Sequence, residues 1–314
     1  VYGSIEEDAI RRDFTVNALY YGNDHQIRDF CDGLRDIEKR RIHIIGDPDT
    51  RYREDPVRML RAVRLAAKLD FTIEKNTAAP IAQLAPLLRD ISNARLFDEM
   101  NKLFMNGYAV KTFELMVQHR LFHVLFPSAT RHFEAGNYTD RLIRQALANT
   151  DTRIRNDQRV TPAFLYAALL WPALQQEQQR EQNNGLHPHA ALQKVIPKVI
   201  GEQTRLIGIP RRFTLPMQEI WELQWQLPRR QGGRADKLLE HPRFRAAYDF
   251  LLLREQAGEE LQELGSWWTQ YQNASLEERE QLRQNLQKNE SGVTRNNRRR
   301  RNNRSRSANK PTAH

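Results

Sequence analysis

The sequence holds a single cysteine, Cys31, in 314 residues. That excludes an intramolecular disulfide and any zinc finger built on two or more cysteine ligands, and it fits a reducing cytoplasm. Cys31 itself is expected to be a small buried hydrophobe. Long apolar runs are missing too. A membrane span needs about 20 such residues; the best candidate, Ala163 to Leu174, is short and broken by Pro172, so it reads as a buried helix. The chain opens at Val1 with neither a methionine nor the basic and apolar regions of a secretory signal, so none is expected. No repeat with a period of about 20–50 residues is visible, which argues against a solenoid.

Acids are absent from one stretch altogether. Residues 291–314 carry Arg295, Arg298, Arg299, Arg300, Arg301, Arg304, Arg306 and Lys310 without a single Asp or Glu. The whole chain has a net charge of +10, so these eight cations leave only +2 for the remainder. A segment of Arg, Asn and Ser has too little apolar surface to fold alone and is expected to be disordered. The seven arginines suit phosphate, because each planar fork can meet two oxygens. A sequence-independent RNA clamp is therefore expected from them, driven by counterion release.

The first 50 residues differ from the rest. Phe14 to Tyr21, Ile27 to Cys31 and Arg41 to Ile45 read as short strands, with Gly22-Asn23-Asp24 turning between the first two. From Asp55 onward the periodicity is helical. Asp55-Pro56 is a start signal, with Asp as N-cap and Pro at the first helical position. Helices are expected at about 77–88, 92–105, 109–119, 140–148, 162–179, 189–200, 217–226, 233–239, 243–270 with a break near Gly258, and 276–287. The class is mostly α, with a small mixed α/β piece at the start.

Two segments can carry chemistry. In Arg11-Arg12-Asp13-Phe14-Thr15-Val16-Asn17-Ala18-Leu19, polar and apolar residues alternate. The alternation suggests a strand with its polar face towards a cleft. Arginine can hold phosphate there, Asn and Thr a ribose hydroxyl, and Asp a metal or a ribose. An ordinary edge strand would look much the same. The second segment places Asp55, Arg58, Arg61 and Arg64 three residues apart. On a helix such neighbours lie close together, in a row roughly 13 Å long. Three arginines in a row repel one another unless an anion sits between them. A bound nucleotide would supply it, and a salt-bridged solvated face is the bland alternative.

Together, RRDFTVNALYY and, some forty residues on, REDPVRMLRAVRLAAKL resemble the bacterial tRNA nucleotidyltransferase and poly(A) polymerase family of the polymerase-β-like superfamily. Arg229-Arg230-Gln231-Gly232-Gly233, the segment Leu238 to Asp249 and the arginine-rich tail resemble its poly(A) polymerase branch; the CCA-adding branch typically lacks such a tail. The resemblance implies adenylyl transfer from ATP to RNA 3′ ends with two Mg²⁺ ions. It makes Asp13 the third active-site acid and Arg12 a nucleotide contact, with Asn17 nearby. Asp55 and Arg58 become the edge that selects the base, while Arg61 and Arg64 complete the ATP site. Arg95 to Glu99 becomes the helix supporting that row. It also implies a head remnant over 1–50, a neck over 51–130, an RNA-binding body over 131–275 and a basic tail over 276–314.

The departures are equally plain. The family's Gly-Gly-x-x-Arg-Asp turn and Asp-x-Asp metal strand do not occur before Asp13. Asp47-Pro48-Asp49 has the right spacing but reads as a turn after a strand, so no metal ligands are assigned. The expectation is an N-terminally truncated polymerase, inactive alone. The alternatives are a CCA-adding enzyme and a non-catalytic RNA-binding fragment. His119 and His123, four apart, are expected to be structural, and so are Trp221 and Trp225, though one of the two could stack on an RNA base. Of Trp267 and Trp268, only one can face inward.

Overall fold

Ser4 opens the first helix, α1 (Ile5–Arg11), with a reciprocal capping box: its hydroxyl accepts from Glu7 N, and the Glu7 carboxylate accepts from Ser4 N. In the computed structural model, described for residues 3–131 and 133–286, the chain then forms one antiparallel bridge from Phe14 to Ile44. It tightens at once into a 3-10 turn over Thr15–Asn17. The strand expected from Phe14 is thus confined to β1 (Leu19–Tyr21), antiparallel to β2 (Ile27–Asp29) with Leu19 opposite Asp29. Side chains cause the turn. The Thr15 hydroxyl donates to buried Asp36 at 2.7 Å, and Asn17 Oδ1 accepts from Phe14 N at 3.2 Å. Such local bonds compete with a strand ladder.

After α2 (Gly33–Glu38) comes β3 (Arg41–Ile42), which pairs in parallel with Thr72–Ile73, β4. Asp47-Pro48-Asp49, expected as a turn, instead begins α3 (Pro48–Glu54). Asp47 caps it, accepting from Thr50 N at 2.9 Å, and Pro48 supplies a preset φ in the first turn. The arginine row rides on α4 (Val57–Leu69). Asp55 stands just outside it, yet its Oδ1 accepts from Val57 N at 3.2 Å, so it still satisfies a helix-start donor.

Where one helix was expected over 77–88, Pro80 and Pro86 break the run. It becomes α5 (Lys75–Ala78), α6 (Ile81–Leu84) and a 3-10 turn over Ala85–Asp90. Then follow α7 (Asn93–Phe104), α8 (Ala109–Gln118), α9 (Leu121–Leu125), α10 (Pro127–Thr130) and α11 (Tyr138–Arg155). Next come α12 (Pro162–Asn183), α13 (Pro188–Leu206) and α14 (Arg211–Gln226). Pro172, Pro197 and Pro216 lie inside them without ending them. The C-terminal elements are α15 (Arg234–Leu239), α16 (Phe244–Gln256), α17 (Leu264–Asn273) and α18, residues 276–286. The break expected near Gly258 is real: Gly258 has φ +95°, a conformation that costs glycine little.

The described residues form two compact units. One runs to Gln218 and includes Gln256–Gly258; the other comprises Glu219–Glu255 and the described residues from Glu259 onward. In the first, α4 buries Val57, Leu60, Val63 and Ala66 and packs against α7 and α8. That burial is what turns Arg58, Arg61 and Arg64 the other way. In the second, Trp268, Phe244, Leu251 and Tyr271 centre the core. Trp268 is fully buried and donates its ring N–H to the Leu227 carbonyl, while Trp267 stays partly buried, so only one of the pair faces fully inward. The fold is mostly α, as its periodicity indicates. Among the described residues no helix is long and apolar enough to cross a membrane.

Candidate functional site

Backbone bonds hold Asp13 in place. Its carbonyl accepts from Ile45 N at 3.1 Å, and Thr15 N donates to His43 O at 3.0 Å. Fully buried Phe14 anchors the segment beneath. Asp36, also buried, ties the next turn down by accepting from Thr15, Arg41 and His43. The Asp13 side chain is thereby delivered to the exposed flank of α4.

There it meets two guanidinia. Arg58 Nε donates to Asp13 Oδ1 at 2.8 Å, and Arg61 Nη1 donates to Oδ2 at 2.6 Å. Burial opposes ionisation of Asp13, but the hydrogen bonds and charges of Arg58 and Arg61 outweigh it and hold the carboxyl below its ordinary 3.8. Arg58 Nη1 also donates to the Arg51 carbonyl at 2.7 Å and to Glu54 at 3.0 Å. Arg51 in turn donates to the Arg12 carbonyl at 3.0 Å, locking α3 to the end of α1. One turn along, Glu99 on α7 lies 3.6 Å from Arg64 and accepts from Lys102 at 2.9 Å. Arg95 donates to Asp55 at 2.7 Å.

The anion required between the arginines is thus supplied by the protein itself. Asp13, Glu54 and Glu99 come from three different elements to neutralise one helix face. Spacing located the row; it carried no trace of Glu54 or Glu99 as partners. Exposure distinguishes the row's members. Arg58 is 13% exposed, Arg61 31% and Arg64 28%, while Glu99 is 4% exposed. A cleft of about 230 Å³ opens beside them, lined by Asp13, Asn17, Arg61, Arg64, Glu99 and Lys102. Whole-ligand pockets usually run to about 300–1,000 Å³, so this one takes part of a nucleotide, not all of it.

The expected residues separate into three groups. Asp13, Asn17, Arg61 and Arg64 share the cleft, with Arg58 one bond behind it. Arg12 points elsewhere, paired with Asp8 at 2.7 Å and near Tyr20, and Asp55 is held by Arg95. Arg295, Arg298, Arg299, Arg300, Arg301, Arg304 and Arg306 lie outside the described residues. Cys31 is only partly buried, contrary to expectation, because it stands at the exposed end of the hairpin; burial and neighbouring Asp29 and Asp32 push its thiol up. His119 is buried in the core next to α8, and burial pushes its imidazole down.

Three family models match in series. The poly A polymerase head domain matches residues 1–43, the probable RNA and SrmB-binding site of polymerase A residues 70–133, and the polymerase A arginine-rich C-terminus residues 184–306. Poly(A) polymerase I of Escherichia coli is 52% identical over 278 residues, covering 87% of this chain and 60% of the relative. The Haemophilus influenzae poly(A) polymerase I is 45% identical over 293 residues, covering 92% and 65%. This chain belongs to the poly(A) polymerase family. It spans about 60% of the length of the Escherichia coli relative.

The CCA-adding branch is more distant from it. A Streptococcus suis CCA-adding enzyme is 43% identical, but only over 122 residues, 39% of this chain and 30% of that one. Solved structures of tRNA-acting enzymes share the fold. A Thermotoga maritima CCA-adding enzyme complexed with tRNA aligns over 87% of this chain and 63% of its own, with a TM-score of 0.58 at 18% identity. A tRNA-processing enzyme complex aligns over 87% and 70%, at 0.61 and 19%.

The resemblance implies two Mg²⁺ ions, and the described residues do not fit them. No three His, Cys, Asp or Glu side chains among them come together as a metal site. Asp13, the acid assigned to that role, has both oxygens engaged by guanidinia.

Proposed function

We propose that this chain supplies the nucleotide-reading and RNA-holding parts of template-independent adenylyl transfer to RNA 3′ ends, in a cytoplasmic setting. The observation that carries the reading is the convergence of Asp13, Asn17, Arg61 and Arg64 on one cleft. The first unit contributes a head piece (1–50) and a neck (51–130). In the neck, Asp55 and Arg58 present the edge that selects adenine, with Arg12 at the approach. Arg61 and Arg64 meet phosphate, for which two forks about one helical turn apart are well spaced. Asp13 sets both Arg58 and Arg61, so its role is positioning. The body (131–275) and the arginines from Arg295 to Arg306 in the tail hold RNA.

Because the residues present do not fit two Mg²⁺ ions, a polypeptide of these 314 residues is expected to retain ATP and RNA without extending an RNA primer. Equilibrium dialysis with ATP and with CTP, followed by incubation of an RNA primer with radiolabelled ATP, tests this. ATP retained above CTP without primer extension supports the reading. Equal retention of CTP favours the CCA-adding alternative, and retention of RNA alone favours a non-catalytic RNA-binding protein. Incorporated label would sink the argument about Asp13.

A further inference from the structure

The second unit carries an arginine cluster built quite differently from the row on α4. Residues 228–235, Pro-Arg-Arg-Gln-Gly-Gly-Arg-Ala, contain three arginines and no acid. The guanidinium of Arg229 lies 3.4 Å over the Trp225 ring and donates one N–H to the Trp225 carbonyl. Arg230 lies 4.9 Å over Trp267, whose ring stacks at 4.6 Å on Tyr271. Burial and the charge of Arg234 both push Arg229 below its ordinary value, as expected where cations crowd. Stacking on an indole orients a guanidinium plane without itself cancelling the positive charge. The nearest acid of the loop's own helix, Asp236, is already engaged by Tyr271 and Arg283.

Beside the cluster a cleft of about 310 Å³ is lined by Pro228, Arg230, Gln231, Glu260, Leu261, Leu264 and Leu286. Gly232, at φ +59°, and Gly233 leave the backbone uncovered, since a Cβ at either would meet nothing within 4 Å. Positive forks, a bare backbone and a cleft that offers both polar groups and leucines in one place suit a phosphodiester with an unpaired base. In a duplex the bases are stacked inside and cannot enter such a cleft, whereas a single strand presents phosphate and base together.

We propose that residues 228–234 and the adjoining cleft form a subsite for single-stranded RNA, with Arg229 and Arg230 on successive phosphates and one base against Leu261 and Leu264. The subsite lies outside residues 70–133, which match the model of a probable RNA-binding site. It rests on the reading of this chain as RNA-binding and adds where in the second unit the strand is held.

The test uses the full chain and labelled oligo(A) of about 15 nucleotides, a length within the usual range of single-strand sites. A duplex of equal length is the second ligand. Replacing Arg229 and Arg230 together by Gln should weaken oligo(A) binding about tenfold. It should also flatten the plot of log affinity against log salt by about 1.4, two phosphates at roughly 0.7 each. Thermal unfolding should not change. Glu260→Gln should tighten binding about twofold by removing from the cleft lining a charge of the same sign as the phosphate. If the double variant keeps the parent's affinity and salt slope, the subsite is elsewhere. Should that variant not fold, Glu260→Gln decides alone, and unchanged or weaker binding overturns the proposal. Equal affinity of the parent for duplex and single strand removes the base cleft from the argument. A parent that binds neither ligand removes the RNA reading itself, an outcome distinct from the failure of the subsite.

Discussion

On α4, Arg58 and Arg61 share the Asp13 carboxylate, and Arg64 lies 3.6 Å from Glu99. In loop 228–234, Arg229 and Arg230 lie instead over Trp225 and Trp267. Carboxylates neutralise as well as orient, so the first cluster is a rigid, nearly balanced wall. A ligand gains there chiefly from geometry. An indole orients a guanidinium without itself neutralising it, so a phosphate at the second cluster is expected to gain from Coulomb attraction, which salt weakens. Equal richness in arginine therefore predicts unequal salt dependence: shallow for nucleotide at the cleft, steep for RNA at the loop.

The largest effect should come from removing the neutralising group. Asp13→Ala leaves two half-buried guanidinia facing each other without their shared anion. Losing one partner of a buried pair costs about 3–5 kcal/mol, reduced to about 2–3 here because Arg61 remains partly open to water. For a unit of this size that is a fall in Tm of roughly 5–10 °C, read by calorimetry. An unchanged Tm would mean that Asp13 does not hold the row, and the contrast with the indole-held cluster would collapse.

Why this contrast was only half legible in the sequence is a matter of range. The period-three row and the apolar face of α4 are local, and pattern alone locates them; the cap expected at Asp55 falls one residue later, on Pro56. Asp13 and Arg61 are 48 residues apart, and their pairing needs the fold. The RRDF and EDPVR motifs suggested a shared site by family resemblance, not by physics. Glu99 stood within the supporting helix, but its approach to Arg64 is a tertiary fact. Misread turns share another cause. At Thr15 and Asn17, hydrogen bonds to Asp36 and Phe14 overrode an alternating pattern that favours a strand. At Pro48, a residue usually taken as a loop marker sits in the first turn of a helix, the one helical position that suits it. Interior Pro172, Pro197 and Pro216 show tertiary packing overriding local preference outright.

A smaller effect separates members of the row. Arg61 lines the cleft with 31% of its side chain exposed, whereas Arg58 commits Nε and Nη1 to Asp13, Glu54 and the Arg51 carbonyl. Arg61→Ala should weaken retention of ATP and CTP alike by about tenfold, the loss of one charged hydrogen bond worth about 1.5 kcal/mol. Arg58→Ala should instead lower the ratio of ATP to CTP retained, with RNA affinity unchanged. Dialysis of both variants against both nucleotides distinguishes them. An equal loss for the two nucleotides in Arg58→Ala would assign Arg58 to phosphate.

The smallest effect concerns protons. Asp13→Asn keeps the shape and one acceptor but removes the charge, so at neutral pH it should cost less than the alanine change, about 1 kcal/mol. Because Arg58 and Arg61 hold the folded-state carboxyl of Asp13 below 3.8, the parent's extra stability is fully present above that value. It is lost as the pH falls through the lowered folded-state value, where the parent's own Asp13 becomes a neutral group much like asparagine. Melting parent and Asp13→Asn side by side from pH 7 down to about pH 2.5 should show a constant gap at first. Below about pH 4 the gap should narrow as the pH falls. The Arg229 and Arg230 double variant, which leaves Asp13 and its two guanidinia in place, should run parallel to the parent over the same range. A gap between parent and Asp13→Asn that stays constant to the lowest pH would show that shape, not charge, is what Asp13 contributes to the row.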